Sequence, residues 1–203
     1  MNARRRSDDR TATILRTALD LALEVGYARL SMEAVAARAG VGKGTIYRRW
    51  PSKPFLFLDA VLGVRTTGLR HPETGDVVAD LRAIMSRAAD LLDRPPWGPL
   101  YRDLIGEAQH NPAVAAALNE RFIQPQMADA LARLTTAKEQ GQVAPDFDLD
   151  LAFEILSGPQ YFRLLVTHQP TTPAYIDRML RAIFAGMGPR AVPWRCPGGS
   201  VRP

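Results

Sequence analysis

The sequence predicts an all-α protein in two parts, a small helix-turn-helix unit followed by a larger helical domain. Three observations predict it. Apolar residues recur with the helical period and nowhere with strand-like alternation, and no internal repeat occurs. Glycine and proline clusters cut the chain at helix-length intervals. The charge also divides the chain: residues 1–68 carry twelve Lys and Arg against six Asp and Glu, whereas residues 69–203 carry fourteen against fifteen. A positive field concentrated on a small helical segment points to a polyanion, either nucleic acid or an acidic membrane surface.

In the first helix Ile14, Ala18, Leu21, Ala22 and Val25 share one face. Asp8 and Asp9 suit its positive N-terminal end, and Gly26 suits the left-handed position after its last turn. Ser31 is expected to cap a short second helix that turns Val35, Ala36 and Ala39 inward and ends at Gly40, with Val41 packing back on it. After the Gly40-Val41-Gly42 turn a third helix is expected from Lys43 to Arg49. Ile46 and Trp50 face inward, leaving Lys43, Thr45, Tyr47 and Arg48 outside. Pro51 stops that helix, and Ser52 is a suitable cap for a fourth, which starts at Lys53 and Pro54 and buries Leu56, Phe57, Ala60 and Val61. Two short helices joined by a tight glycine-containing turn, the second presenting polar and basic groups, make a helix-turn-helix.

Beyond Arg65 a loop is expected over 66–76, then helical stretches over 77–93, 98–110, 112–141, 148–168 and 173–186. Pro95-Pro96, Asn111-Pro112, Gly141 with Pro145, and Pro170 with Pro173 separate them. Pro125 and Gly158-Pro159 are expected to kink the third and fourth of these stretches and open space nearby. Residues 189–203 lack periodicity and read as a flexible tail in which Trp194 hints at docking.

Residues 11–62 resemble the DNA-binding domain of the tetracycline-repressor (TetR) family of bacterial transcription regulators. The carrying residues are the A-x-x-x-G-Y end of the first helix, SMEAVAARAGV, KGTIYRRW and PSKPFL. Gly42, Trp50 and Pro54 depart from the usual serine, phenylalanine and acidic residue. The resemblance implies that Tyr47 and Lys53 touch phosphates while Lys43, Gly44, Thr45 and Arg48 lie nearest base edges. An arginine such as Arg48 suits bidentate contact with guanine, and glycines 40, 42 and 44 are expected to let the backbone turn and approach a phosphate. Arg38 and Arg49 are as well suited to solvent or an acidic partner, and Tyr27 to packing between helices. The segment LSGPQYFRLLVT at 156–167 is similar to a helix in one large branch of the same family. That likeness implies dimerisation through 148–168 and 173–186, to which the apolar face Ile176, Met179, Leu180, Ile183 and Phe184 is assigned.

Other function classes fit the residues less well. Glu107 and His110 form a Glu-x-x-His pair, but the second copy needed by a carboxylate-bridged metal bundle is missing, and no nucleophile elbow or phosphate loop occurs. No catalytic residue, metal ligand or cofactor is therefore assigned. A single cysteine, Cys196, excludes an internal disulfide. With no apolar run of membrane-spanning length, a polar Met1–Arg10 segment and only three lysines, a membrane role is disfavoured and the cytoplasm expected. The expected organisation is a helix-turn-helix DNA-binding domain at 1–65, a helical effector-binding and dimerisation domain at 66–188, and a tail at 189–203. Met85, Leu92, Trp97, Tyr101, Phe122, Met127, Phe153 and Tyr161 are the candidate lining of a pocket for a small apolar effector. The expected function is a homodimeric, ligand-responsive repressor on an inverted-repeat operator in double-stranded DNA; the alternative is a constitutive DNA binder with no effector.

Overall fold

The first helix, α1 (Asn2–Val25), begins well before the Asp8-Asp9 pair expected at its start. The structure is a computed structural model that describes residues 2–64, 72–93 and 95–187. The predicted tail with Trp194 and Cys196, and residues 66–71 of the predicted loop, lie outside the described residues. On α1, Ile14, Ala18 and Ala22 are buried as their spacing predicts, Leu19 joins them, and Leu21 and Val25 are half-buried.

Gly26, at φ 80°, turns the chain into a short 3-10 turn, Tyr27–Arg29. Ser31 then caps α2 (Met32–Arg38), its side chain accepting the Ala34 N–H at 3.1 Å. Gly40 is left-handed at φ 65°, and the Val41 N–H closes back on the Ala36 carbonyl at 3.0 Å. Gly42 adopts an ordinary extended backbone (φ −68°, ψ 144°) and Gly44 lies within a helix, so of these three glycines Gly40 alone needs glycine's conformational freedom. Next come α3 (Lys43–Tyr47) and α4 (Lys53–Val64). On α4 Leu56, Phe57, Leu58, Ala60 and Val61 are all fully buried, because α4 is enclosed by α1 on one side and by the second half of the chain on the other.

That second half comprises α5 (Val77–Asp93), α6 (Trp97–His110), α7 (Pro112–Leu118), a π-helical segment (Asn119–Ile123), α8 (Gln124–Glu139), α9 (Leu149–Phe162), a second π-helical segment (Arg163–Thr167) and α10 (Pro173–Met187). The expected 112–141 helix is thus three elements. Pro125 stands in the first turn of α8, which runs on without a break from the π segment, so its missing N–H leaves a carbonyl of that segment without its helical donor, and the irregularity falls there. Pro159 does lie inside α9, where it leaves the Ile155 carbonyl without its usual helical donor. No described helix is long and apolar enough to cross a membrane.

Two buried clusters hold these helices. The first unites α1 to α4 with α6, α7 and the first π segment; the second unites α5, α8, α9 and α10. Ile176, Met179 and Leu180, assigned above to a dimer contact, are buried within the second cluster, where α10 packs on α5, and Ile183 and Phe184 pack against its edge. Helical periodicity reports that a face is covered, not what covers it.

Between α5 and α8, Asp80 and Arg133 form an ion pair at 2.7 Å with side chains 0% and 2% exposed. Asp80 also accepts the backbone N–H and the hydroxyl of Thr74. Burial pushes the Asp80 carboxyl up, but the Thr74 and Arg133 hydrogen bonds outweigh it and hold it below the usual range. Its stabilising effect is therefore complete at neutral pH and lost as pH falls through that lowered value. Asp80→Ala or Arg133→Ala is expected to cost about 3–5 kcal/mol in urea unfolding by stranding a buried charge, whereas Asp80→Leu with Arg133→Met together should cost less than either alone.

Candidate nucleic-acid interface and ligand cavity

The turn and α3 present a polar face above an apolar anchor. Ile46 and Trp50 are 0% and 2% exposed, and this fixes α3 against α2 within the first buried cluster. Opposite them Lys43, Gly44, Tyr47 and Arg48 are exposed and Thr45 is half-exposed, as the helical spacing predicts. The side chains of Lys43 and Arg48 donate no hydrogen bond to another described residue. The two residues assigned to phosphates are differently placed. Tyr47 donates to Glu33 Oε1 at 2.9 Å, and that carboxylate holds its hydroxyl above the usual tyrosine range. Lys53 is half-buried, donating to the Tyr27 carbonyl at 3.1 Å with its ammonium 4.4 Å from the Tyr27 ring centre, so one or more of its three N–H groups is engaged inside the protein. Arg38 pairs with Glu24, and Arg49 lies 5.8 Å from the Trp50 ring.

Two polar bridges join this unit to the second half of the chain. Tyr27 packs on Phe57 with ring centres 4.5 Å apart, and its hydroxyl donates to Glu107 Oε2 of α6 at 2.8 Å. Burial first, and then the Glu107 carboxylate, hold that hydroxyl well above its usual range. Glu107, read above as half of a Glu-x-x-His pair, accepts from Tyr27 and from Asn111. In the second bridge the Trp50 indole N–H donates to Asp59 Oδ2 at 2.7 Å, and Asp59 pairs with Arg121 of the first π segment, also at 2.7 Å. A phenylalanine at position 50 has no such donor, so this link depends on one of the positions where the sequence departs from the usual pattern.

In the second half a cavity lies among α5, α6, α8, α9 and the first π segment, with about 800 Å³ free of protein atoms, counting its solvent-open part. Met85, Leu92, Tyr101, Phe122, Phe153 and Tyr161 line it, as predicted. Trp97 and Met127 do not: Trp97 packs against the first cluster, and half-buried Met127 lies off the α8 stripe formed by Gln126, Ala130, Arg133 and Ala137. The Tyr101 and Tyr161 hydroxyls meet at 2.6 Å, and Tyr101 meets Phe122 edge to face with centres 5.7 Å apart. Ile84, Gln126, Ser157 and Gln160 also line the cavity and were not read from the sequence. A signal for Gln160 was present, since it interrupts the apolar face Leu156, Gln160, Leu164 of α9 and the segment after it, and such an amide requires a polar partner or a ligand.

An exposed basic helix on a helix-turn-helix, joined by polar bridges to a helical domain with an apolar cavity, defines a DNA-binding transcription regulator. Family profiles match both parts of the chain: "Bacterial regulatory proteins, tetR family" over residues 14–60 and "Tetracyclin repressor-like, C-terminal domain" over residues 71–183. The chain belongs to the TetR family. It is 32% identical over 180 residues to the DNA-binding transcriptional repressor TetR of Mycobacteroides abscessus, covering 86% of this chain and 92% of that protein. An uncharacterised HTH-type transcriptional regulator of Bacillus subtilis, YdeS, is 29% identical over 184 residues, 91% of this chain and 92% of its own. The crystal structure of a TetR family transcription regulator superposes with a TM-score of 0.70 at 36% identity, covering 89% of this chain and all of that one.

Removing the Tyr27 hydroxyl leaves Glu107 half-buried without that donor. Tyr27→Phe is expected to destabilise the chain by about 1–3 kcal/mol in chemical denaturation, and a double-mutant cycle with Glu107→Gln should return a coupling of about 0.5–3 kcal/mol.

Proposed function

We propose that the chain is a homodimeric, ligand-responsive repressor that reads an inverted-repeat operator, with α3 of each subunit in a major groove. Lys43, Gly44, Thr45 and Arg48 face base edges; Tyr47 and Lys53 hold phosphates, Tyr47 exchanging Glu33 for a phosphate oxygen and Lys53 using a donor left over from the Tyr27 carbonyl. The domains divide at residues 65 and 188, and the cytoplasm is the expected compartment. One observation carries the effector half of this reading: the Met85–Tyr101–Phe153–Tyr161 cavity, which a DNA binder without an effector does not need.

The homodimer is supported by α9 and the segment after it. Leu151, Ile155, Phe162 and Val166 fall on one helical face, the last two 55% and 62% exposed. A contiguous apolar stripe of this kind on a dyadic DNA reader is suited to its own copy across a twofold axis.

Selection of bound DNA from a random library is expected to recover an inverted repeat whose half-sites are spaced by about one helical turn or a multiple of it; asymmetric or unselected DNA would sink the dyadic reading. On that site Arg48→Ala should relax preference at one base pair per half-site at a cost of about 1–3 kcal/mol, and Lys53→Ala should weaken all sequences alike while reducing the salt slope by about one. Ile155→Asp with Phe162→Asp should give monomers in sedimentation and reduce operator affinity roughly 10²–10⁴-fold. An intact dimer would move the interface off this face.

A further inference from the structure

Beside the cavity lies a second, more open compartment among α6, α7, α9 and the first π segment, with about 690 Å³ free of protein atoms, again counting the part open to solvent. The two share Ile123, Phe153 and Tyr161 as a common wall. Every side chain lining either compartment is uncharged, and the polar ones are amides and hydroxyls such as Gln126, Ser157 and Gln160 in the first and Gln109 and Asn119 in the second. A charged ligand group here would lose hydration without gaining an ionic partner. The walls therefore select a neutral compound, apolar over most of its length, with a group able to hydrogen-bond an amide or hydroxyl.

The second compartment also has a particular position relative to the DNA-binding unit. Ile105, Ala108 and Gln109 line it from α6 and flank Glu107, the acceptor of the Tyr27 hydroxyl. Asn119 and Ile123 line it from the π segment and flank Arg121, the partner of Asp59 and, through Asp59, of Trp50. The compartment is thus bounded by the two elements that carry Glu107 and Arg121, the polar bridges to the DNA-binding unit. Most of the first compartment's wall, by contrast, comes from α5, α8 and α9, which belong to the other buried cluster.

We propose that the second compartment is the inducing subsite for an elongated, neutral, apolar ligand. Occupancy of the first compartment gives binding; release of DNA requires a ligand long enough to pass the Ile123–Phe153–Tyr161 wall. A chain in the second compartment wedges α6 away from the π segment, and Glu107 and Arg121 then cannot both keep their partners. A ligand that prefers this wedged arrangement draws the population away from the DNA-binding one. The inference rests on the effector reading of the cavity above.

Straight-chain alcohols test it on the full-length protein, with binding read by calorimetry and DNA release read on the operator recovered by the selection described above. Both hexanol and tetradecanol are expected to bind. Tetradecanol should weaken operator affinity about tenfold or more, within the roughly 5- to 150-fold of ordinary allosteric coupling, and hexanol less than about twofold. Tetradecanoate, the same chain ending in a carboxylate, should bind at least about tenfold more weakly than tetradecanol. Ala115→Phe, which fills the second compartment, should abolish release by tetradecanol while leaving hexanol binding and ligand-free operator affinity unchanged. Should that variant fail to fold, the surface variant Arg121→Gln should bind tetradecanol as before and release DNA less. Equal release by the short and long alcohols, or binding of tetradecanol without release, overturns the subsite; equal binding of tetradecanoate overturns the neutral-ligand assignment. Failure of every alcohol to bind overturns the effector reading itself.

Discussion

Helix α4 is covered from more than one direction. Leu56, Phe57, Leu58, Ala60 and Val61 are all buried, and no single partner covers them: α1 takes one face, while α6 and α7 take others. A helix that is apolar over most of its circumference must be covered on those faces, so the DNA-binding unit cannot complete its core without the second half of the chain. Burial on these faces also limits what motion is available. Close-packed interiors are stiff, and a displacement of α6 is passed to α4 rather than absorbed between them. The position of α3 relative to the rest of the molecule depends on this contact, because Ile46 and Trp50 of the reading unit sit in the same buried cluster as Leu104 and Ala108 of α6.

Polar contacts define the geometry of this apolar junction. Tyr27 stacks on Phe57 of α4 and donates to Glu107 of α6, so one residue ties the first turn after α1 to both neighbouring layers. Asp59, on α4, receives the Trp50 indole from below and the Arg121 guanidinium from above. The strengths of these links differ. The Arg121–Asp59 pair is substantially exposed, with side chains 44% and 30% accessible, and adds direction more than stability. The Asp80–Arg133 pair is fully buried and lies in the other cluster, where it fixes α5 against α8 without touching the junction.

The contrast between Lys43 and Arg48 on one hand and Tyr47 and Lys53 on the other is electrostatic. The side chains of the first two stand in water with no hydrogen bond to another described residue, Lys43 feeling only the Glu33 charge, and a polyanion can take them at little cost beyond ordering them. Tyr47 has an acidic partner in Glu33, and Lys53 rests on carbonyl oxygens and an aromatic face. Those partners hold the two side chains in place on the surface; the ammonium keeps a donor in reserve, whereas the tyrosine hydroxyl, with one proton, must leave Glu33 before it can donate to a phosphate.

Much of this was legible in the sequence, for local reasons. Ser31 as a cap, Gly26 and Gly40 as left-handed turns, Ile46 and Trp50 as the inner side of α3, and the inward face of α1 all follow from rules that act within a few residues. Even six of the eight candidates for the cavity lining do line it, because large apolar and aromatic side chains near proline and glycine mark both cores and hollows. What the residues alone could not decide was which surface covers which. The Ile176–Met179–Leu180 face reads identically whether it meets α5 or a second copy of the chain, and nothing local singles out Leu151, Ile155, Phe162 and Val166 as the exposed apolar face of the 148–168 segment. Nothing local pairs Tyr27 with Glu107, eighty positions apart, or Asp80 with Arg133. Helix, cap and turn were determined by the sequence because their energies are settled between near neighbours along the chain. The partners of each face, the two bridges and the shape of the cavity were decided only when distant helices packed, since burial has a magnitude but no address.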